Sequence, residues 1–176
     1  MQKEIVYHEI ITMNYAPECI EGIEYENCEF KITHTDFENC RFVKCVFKSF
    51  MHRCNFQNCT FRECTFDEID QCEFTECNID YSLIKDINQS NINKCKFHES
   101  RVTGGVINCV LIEDCDFYRL KIQRSEIDST LKRCKLVKTD IQFSDISITY
   151  EDISYDKISD EYSRMNFKKY IEVKLI

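Results

Sequence analysis

Thirteen cysteines and four histidines carry most of the reactive potential of this 176-residue chain, and their spacing decides what they can do. A structural zinc centre wants four thiolate or imidazole ligands, usually built from short Cys-x2–4-Cys pairs. Here Cys54, Cys59 and Cys64 stand five apart, and so do Cys40 and Cys45, and Cys72 and Cys77. His52 adjoins this run, while His8, His34 and His98 are scattered. The pattern predicts no metal centre and no cofactor. Covalent catalysis needs an exposed nucleophile beside an oriented base. The chain has no Gly-rich phosphate loop and no nucleophile elbow. The expectation is a non-enzymatic protein without a small-molecule substrate.

Carboxylates form the second group. Between residues 139 and 163 lie Asp140, Asp145, Glu151, Asp152, Asp156, Asp160 and Glu161, against the single Lys157, a local charge of −6. Such a segment is either a solvated face or a patch that imitates phosphates before a basic groove. The whole chain carries −8, with a pI near 5.1. That balance lacks the basic footprint of a nucleic-acid binder, so direct nucleic-acid contact is not expected. No apolar run is long enough to span a bilayer, and the first residues lead into no signal-peptide core. The odd cysteine count and regular spacing argue against a disulfide framework. Reduced thiols acting as small core residues, in a cytoplasmic setting, are the simpler expectation.

The spacing of five also organises the rest of the chain. A large apolar residue follows most cysteines by two: Phe42, Phe47, Phe56, Phe61, Phe66, Phe74, Ile79, Phe97 and Phe117. Five matches neither the helical period nor the alternation of a flat strand. It suits a backbone that turns a corner every five residues and stacks on itself. The large residues point inward, the small residue two earlier fills the remaining space, and the other three positions face solvent.

Three larger steps, Phe47 to Phe56, Phe66 to Phe74 and Ile84 to Ile92, each contain an apolar residue five before the restart: Met51, Ile69 and Ile87. Each is a shortened side followed by a normal one. The sides then group in fours, at eighteen or nineteen residues per turn. Columns such as Phe37-Phe56-Phe74-Ile92 and Phe42-Phe61-Ile79-Phe97 follow from this stacking. Near Thr103-Gly104-Gly105 two registers fit, Val106/Leu111 or Ile107/Ile112, and a bulge or corner loop is expected there. The repeat then continues through Leu136, Ile141 and Ile146 to Ile153 and Ile158.

Three segments result: residues 1–22 as an N-terminal strand or cap, 23–158 as the stacked repeat, and 159–176 as an ending. Ser159 can cap a helix with Asp160 and Glu161 in its first turn and Arg164, Lys168 and Lys169 near its end. The remainder, Tyr170 to Ile176, alternates as a strand. Tyr162, Met165, Tyr170, Ile171, Val173 and Leu175 offer more apolar surface than an end cap requires, which points to a homodimer.

Tandem five-residue units with a central Phe or Leu and a preceding Cys, Ser or Thr resemble the pentapeptide-repeat proteins over roughly residues 23–158. The resemblance implies an all-β, right-handed quadrilateral β-helix, here with a short C-terminal helix. Some members of that family, the Qnr/MfpA-like and microcin-immunity branch, imitate B-form DNA and bind DNA gyrase or topoisomerase IV, and several dimerise through a C-terminal helix. This chain departs from the family's commonest pattern. Ala-(Asp/Asn)-Leu units are nearly absent, the shortened sides are unusual, and no long gyrase-contacting loop is present.

The functional expectation is a dimeric binding solenoid that mimics DNA before a type II topoisomerase and protects it from inhibitors, in antibiotic resistance or toxin immunity. The rival is a scaffold solenoid with no topoisomerase link. About seven coils at roughly 4.8 Å each would make a rod of about 34 Å per subunit.

Overall fold

The computed structural model describes residues 4–15, 19–103, 106–108, 111–123, 126–138, 140–142, 145–151, 154–156, 159–161, 164–169 and 174–175. Side chains are described for 4–15, 19–102, 111–121 and 130–138. Every described element is a strand, and every strand pairing is parallel. The chain is an all-β parallel solenoid.

The column assignment is reproduced by the pairing register. Phe37, Phe56, Phe74 and Ile92 are consecutive register partners. So are Phe42, Phe61, Ile79 and Phe97. Phe47, Phe66, Ile84 and Val102 form the third column, and Met51, Ile69 and Ile87 belong to the fourth. Between the two registers open near the Gly pair, pairing selects Ile107 beneath Ile87 and Ile112 beneath Ile92. Gly104 and Gly105 themselves lie outside the described residues. Coil lengths vary more widely than expected, from 17 residues (Tyr25 to Phe42) to 20 (Phe97 to Phe117).

The core consists of these columns. Phe42, Phe61 and Phe66 are completely buried. Rings stack along each column, with Phe37 and Phe56 5.1 Å apart and 3° from parallel, and Phe47 and Phe66 4.8 Å apart and 9° from parallel. Rings from adjoining sides of a coil meet edge-on, as Phe56 and Phe61 do at 5.3 Å and 74°. Both arrangements suit the ring quadrupole and add to the area burial.

The shortened sides have a simple structural form. Phe47 and Met51 share the unbroken strand Val46–His52, Phe66 and Ile69 share Thr65–Asp70, and Ile84 and Ile87 share Leu83–Asn88. Removing one or two residues from the step removes the turn. The extra residue of the first of these strands is absorbed near Ser49, where φ is 63° and the register shifts.

Ordinary corners use a left-handed residue directly before the small one. Asn27, Asn39, Lys44, Arg53, Glu63, Tyr81 and their equivalents have φ between 46° and 56°. Gly22 sits at such a corner with φ 72°; the rest carry side chains, and each non-Gly residue in this region costs about 1–2 kcal/mol. A backbone bond to the next coil holds the corner, as when Glu63 N–H donates to Asp80 O (3.0 Å) and Tyr81 N–H to His98 O (2.9 Å).

The N-terminal strands join the same stack: Ile5–Tyr7 pairs with Glu24–Glu26, and Ile10–Met13 with Glu29–Ile32. At the other end the expected helix is absent from the described residues. Ser159–Glu161 and Arg164–Lys169 are strands that pair with Asp140–Gln142 and Asp145–Glu151. The capping pattern from Ser159 is a local preference, and the unpaired edge of the preceding coil offers a full set of backbone partners instead. The last coil also shifts register. Tyr155 and Asp160 occupy the Leu136 and Ile141 columns, where Ile153 and Ile158 were expected. One face carries ten parallel strands, from Ile5–Tyr7 to Lys174–Leu175. At a spacing of about 4.8 Å its length is about 43 Å, longer than the expected 34 Å.

Candidate partner-binding surface

The residues flanking each inward residue form outward columns, and these set the surface chemistry. On the face of Phe37 and Phe56, a cavity of about 270 Å3 is lined by Asp36, Glu38 and Glu73, with Asn55, Gln57, Thr75 and the exposed Cys19. Asn55 Nδ2 donates to Asp36 Oδ1 at 2.8 Å, and Asn39 Nδ2 to Glu21 Oε1 at 3.3 Å. Among the described residues no Lys or Arg pairs with Glu21, Asp36, Glu38 or Glu73. Burial, then the Glu38 and Asp36 carboxylates, push the Cys19 thiol above its ordinary value. It is therefore a poor nucleophile despite its exposure.

These acidic residues belong to a broader charge layout that column-by-column reading would have found. Residues 1–93 hold seventeen Asp and Glu against eight Lys and Arg, a net −9. Residues 94–138 hold ten Lys and Arg against six Asp and Glu, a net +4. The first segment supplies five rungs of the ten-stranded face, about 24 Å of axis. Its net charge is then one per about 2.7 Å, against one per about 1.7 Å in duplex DNA.

The acidic segment from 139 to 163 is placed by its backbone alone; the side chains of Asp140, Asp145, Glu151, Asp156, Asp160 and Glu161 lie outside the described ones, and Asp152 lies outside the described residues. Its register puts Asp140 beside Lys121, Glu151 beside Lys132 and Asp145 between Glu126 and Arg164. Opposite charges at adjacent rungs are the stabilising arrangement. Of the residues assigned to dimerisation, Met165 stands at the register position of Ile146, and Leu175 at that of Tyr155. Tyr162, Tyr170, Ile171 and Val173 lie outside the described residues.

The basic coils carry a half-buried ring pair, His98 stacked on Tyr118 at 5.1 Å, which the exposed Tyr81 of the preceding coil meets edge-on at 5.4 Å. Arg119 and Lys138 stand 5.2 Å and 5.8 Å from the Tyr118 ring centre. Elsewhere, His52 Nδ1 lies 2.8 Å from Asp70 Oδ2 on adjacent rungs of one column.

The cysteines are structural in a way their small volume alone did not reveal. Most of the described inward thiols bridge two coils: Cys64 Sγ donates toward Phe42 O (3.4 Å) and Arg62 O (3.5 Å), and Cys77 Sγ toward Phe56 O (3.3 Å) and Thr75 O (3.4 Å). Ser100 Oγ makes the same pair of contacts, with Ile79 O and His98 O, whereas Ser82 and Ser90 Oγ donate to Asp80 O and Asn88 O in their own coil and accept the Cys64 and Cys72 N–H of the coil before. Burial, with the neighbouring Cys45, pushes the Cys64 thiol well above its ordinary value, so it stays neutral. All twelve described cysteines are free, and all but Cys19 are buried.

Sides that repeat every five residues, four inward columns and a small bonding residue at most corners leave one architecture. The chain is a four-sided parallel β-solenoid built on a five-residue repeat. No family model and no curated protein matches it. Among solved structures it is similar to full-length QnrB1, a plasmid-mediated fluoroquinolone resistance protein, at 14% identity over 98% of this chain and 93% of that one, with a TM-score of 0.41. It is also similar to HetL of Nostoc sp. strain PCC 7120, a pentapeptide-repeat protein involved in heterocyst differentiation regulation, at 8% identity over 92% and 85% of the two chains, with a TM-score of 0.29. Among the described residues the solenoid has no group of three potential metal ligands.

Proposed function

We propose that the solenoid is a non-enzymatic binding protein that presents a DNA-like charge surface to a type II topoisomerase, gyrase or topoisomerase IV, and thereby protects it from inhibitors. The carrying observation is the N-terminal acidic surface, where Asp36, Glu38 and Glu73 converge, with Glu21 at the rung beside Glu38, and where among the described residues no Lys or Arg pairs with them. The net charge per unit length of residues 1–93 is more than half that of a duplex, on rungs that cannot collapse to neutralise it. The 139–163 carboxylates form a second acidic segment, separated from the first along the chain by the basic residues 94–138. A homodimer, tail to tail through residues 159–176, would lengthen the rod to about 86 Å.

The test is a gyrase supercoiling assay with and without a quinolone, run over a salt series because attraction between exposed charges is screened. The combined variant Asp36→Asn, Glu38→Gln, Glu73→Gln should bind at least tenfold more weakly while keeping its fold. Asp140→Asn, Asp145→Asn, Glu151→Gln, Asp152→Asn should have the smaller effect. The reading fails if the intact protein neither binds nor alters supercoiling at tens of micromolar. Light scattering of the full chain and of a chain lacking residues 160–176 tests the dimer; a monomeric full chain at micromolar concentration removes it.

The scaffold reading is favoured by one observation, the Tyr81-His98-Tyr118 ladder with its flanking cations. That surface suits an acidic protein partner, and Tyr118→Ala would weaken such a complex without touching topoisomerase activity.

A further inference from the structure

Six cysteines occupy one internal column. Cys40, Cys59, Cys77, Cys95, Cys115 and Cys134 each stand two residues before a member of the Phe42 column, whose register is unbroken from Phe42 to Leu136. Backbone bonds tie the rungs at these residues: Asn78 N–H donates to Cys59 O, Lys96 N–H to Cys77 O and Asp116 N–H to Cys95 O, at 2.9–3.0 Å. All six are 0–2% exposed. The other small-residue columns change to Ser within a few coils, at Ser82 and Ser90, whereas this one keeps sulfur throughout.

We propose that this column binds thiophilic monovalent d10 cations, of which copper(I) is the biologically common one, each held linearly between thiolates of adjacent coils. Three observations select that chemistry. Soft thiolates prefer such ions. No cluster of three ligands exists among the described residues, so a tetrahedral zinc or iron–sulfur site has no ligands, while a two-coordinate site needs only the next rung. Finally, on the scale of a zinc–thiolate bond of about 2.3 Å, two metal–sulfur bonds in line span about 4.6 Å, of the order of the strand spacing of about 4.8 Å.

Loading one ion between two thiols breaks two S–H bonds, releases both protons to solvent and forms two S–metal bonds, with no change of oxidation state. An isolated unit carries one negative charge, unfavourable in a dry core. Ions in successive intervals share thiolates, so a column with all five intervals filled still carries only one. The carbonyls that now accept the thiol protons, Phe56 O from Cys77 and Phe74 O from Cys95, lose those bonds on loading. Because loading releases protons, uptake strengthens as pH rises.

The experiment is a titration of reduced, full-length protein with copper(I) under argon, against a chromogenic copper(I) chelator, following thiolate-to-metal charge-transfer absorption and proton release. The expected result is slow uptake, through coil opening, by the folded chain. Cys77→Ser with Cys95→Ser leaves the Cys40–Cys59 and Cys115–Cys134 intervals of this column, and Cys28–Cys45, Cys45–Cys64 and Cys54–Cys72 in the shorter ones, so three of eight intervals are lost and uptake should fall by more than a third. Serine already fills the same corner role at Ser82, Ser90 and Ser100, and circular dichroism checks that the variant folds. Cys19→Ser should leave uptake unchanged. The proposal is overturned if copper(I) enters only the urea-unfolded chain, or if the double variant takes up as much as the original. It stands independently of any topoisomerase contact.

Discussion

Phe42 and Phe61 lie one coil apart with ring centroids 4.9 Å from each other and planes 5° from parallel. Both are fully buried, and Phe61 also meets Phe56, Phe66 and Phe74. Truncation of Phe61 opens a hole whose walls are hydrogen-bonded rungs, which cannot move together. Phe61→Ala should lower stability by about 3–5 kcal/mol in urea unfolding. A loss below about half a kcal/mol would contradict the rigid column.

The left-handed corners give a backbone prediction. Glu63 has φ 56° and only a 3.6 Å surface contact with Arg62 to lose. Glu63→Gly removes the Cβ strain and should leave stability unchanged or raise it by up to about 1 kcal/mol. Glu63→Val adds β-branching where φ is positive and should destabilise by about 1–2 kcal/mol. Equal urea midpoints for the two variants would show that the corner is not conformationally strained.

Thiol reactivity separates the surface from the core. Cys19 is exposed, whereas Cys59, Cys64, Cys72 and Cys77 are 0–2% exposed. Under native conditions an aromatic disulfide reagent should modify Cys19 first and the other four only at the rate of coil opening. Native disulfides among those four in mass spectrometry would overturn the column.

Acid should weaken the rod partly through Asp67. The Lys85 ammonium, 2.6 Å away, holds the Asp67 carboxyl below its ordinary value, with the Ser49 N–H assisting and burial opposing. A depressed folded pKa means this contribution is complete above the unfolded value near 3.9 and is lost as pH falls through the folded one. The pair is solvent-screened, so its worth is about 0.2–1 kcal/mol. Lys85→Met should lower stability at pH 6 by that amount and leave it unchanged at pH 2; equal losses at both would assign the effect to packing.

The amino-acid sequence by itself determined the solenoid, its four columns and the shortened sides at Met51, Ile69 and Ile87. It could do so because a period of five, repeated with a small residue two before each large one, admits a single way of burying both. Tertiary structure decided what pairing alone settles. The choice of Ile107 and Ile112 over their neighbours depends on which residues lie beneath Ile87 and Ile92, not on the residues themselves. At the C-terminus, Ser159, Asp160 and Glu161 carry every local sign of a helix start, yet they pair as a strand, because the open edge above them offers backbone partners that a helix would leave unsatisfied. The corner role of the cysteines and the convergence of Asp36, Glu38 and Glu73 were equally hidden. Both arise between coils, from residues one or two coils apart along the chain, and no window along the chain brings those residues together.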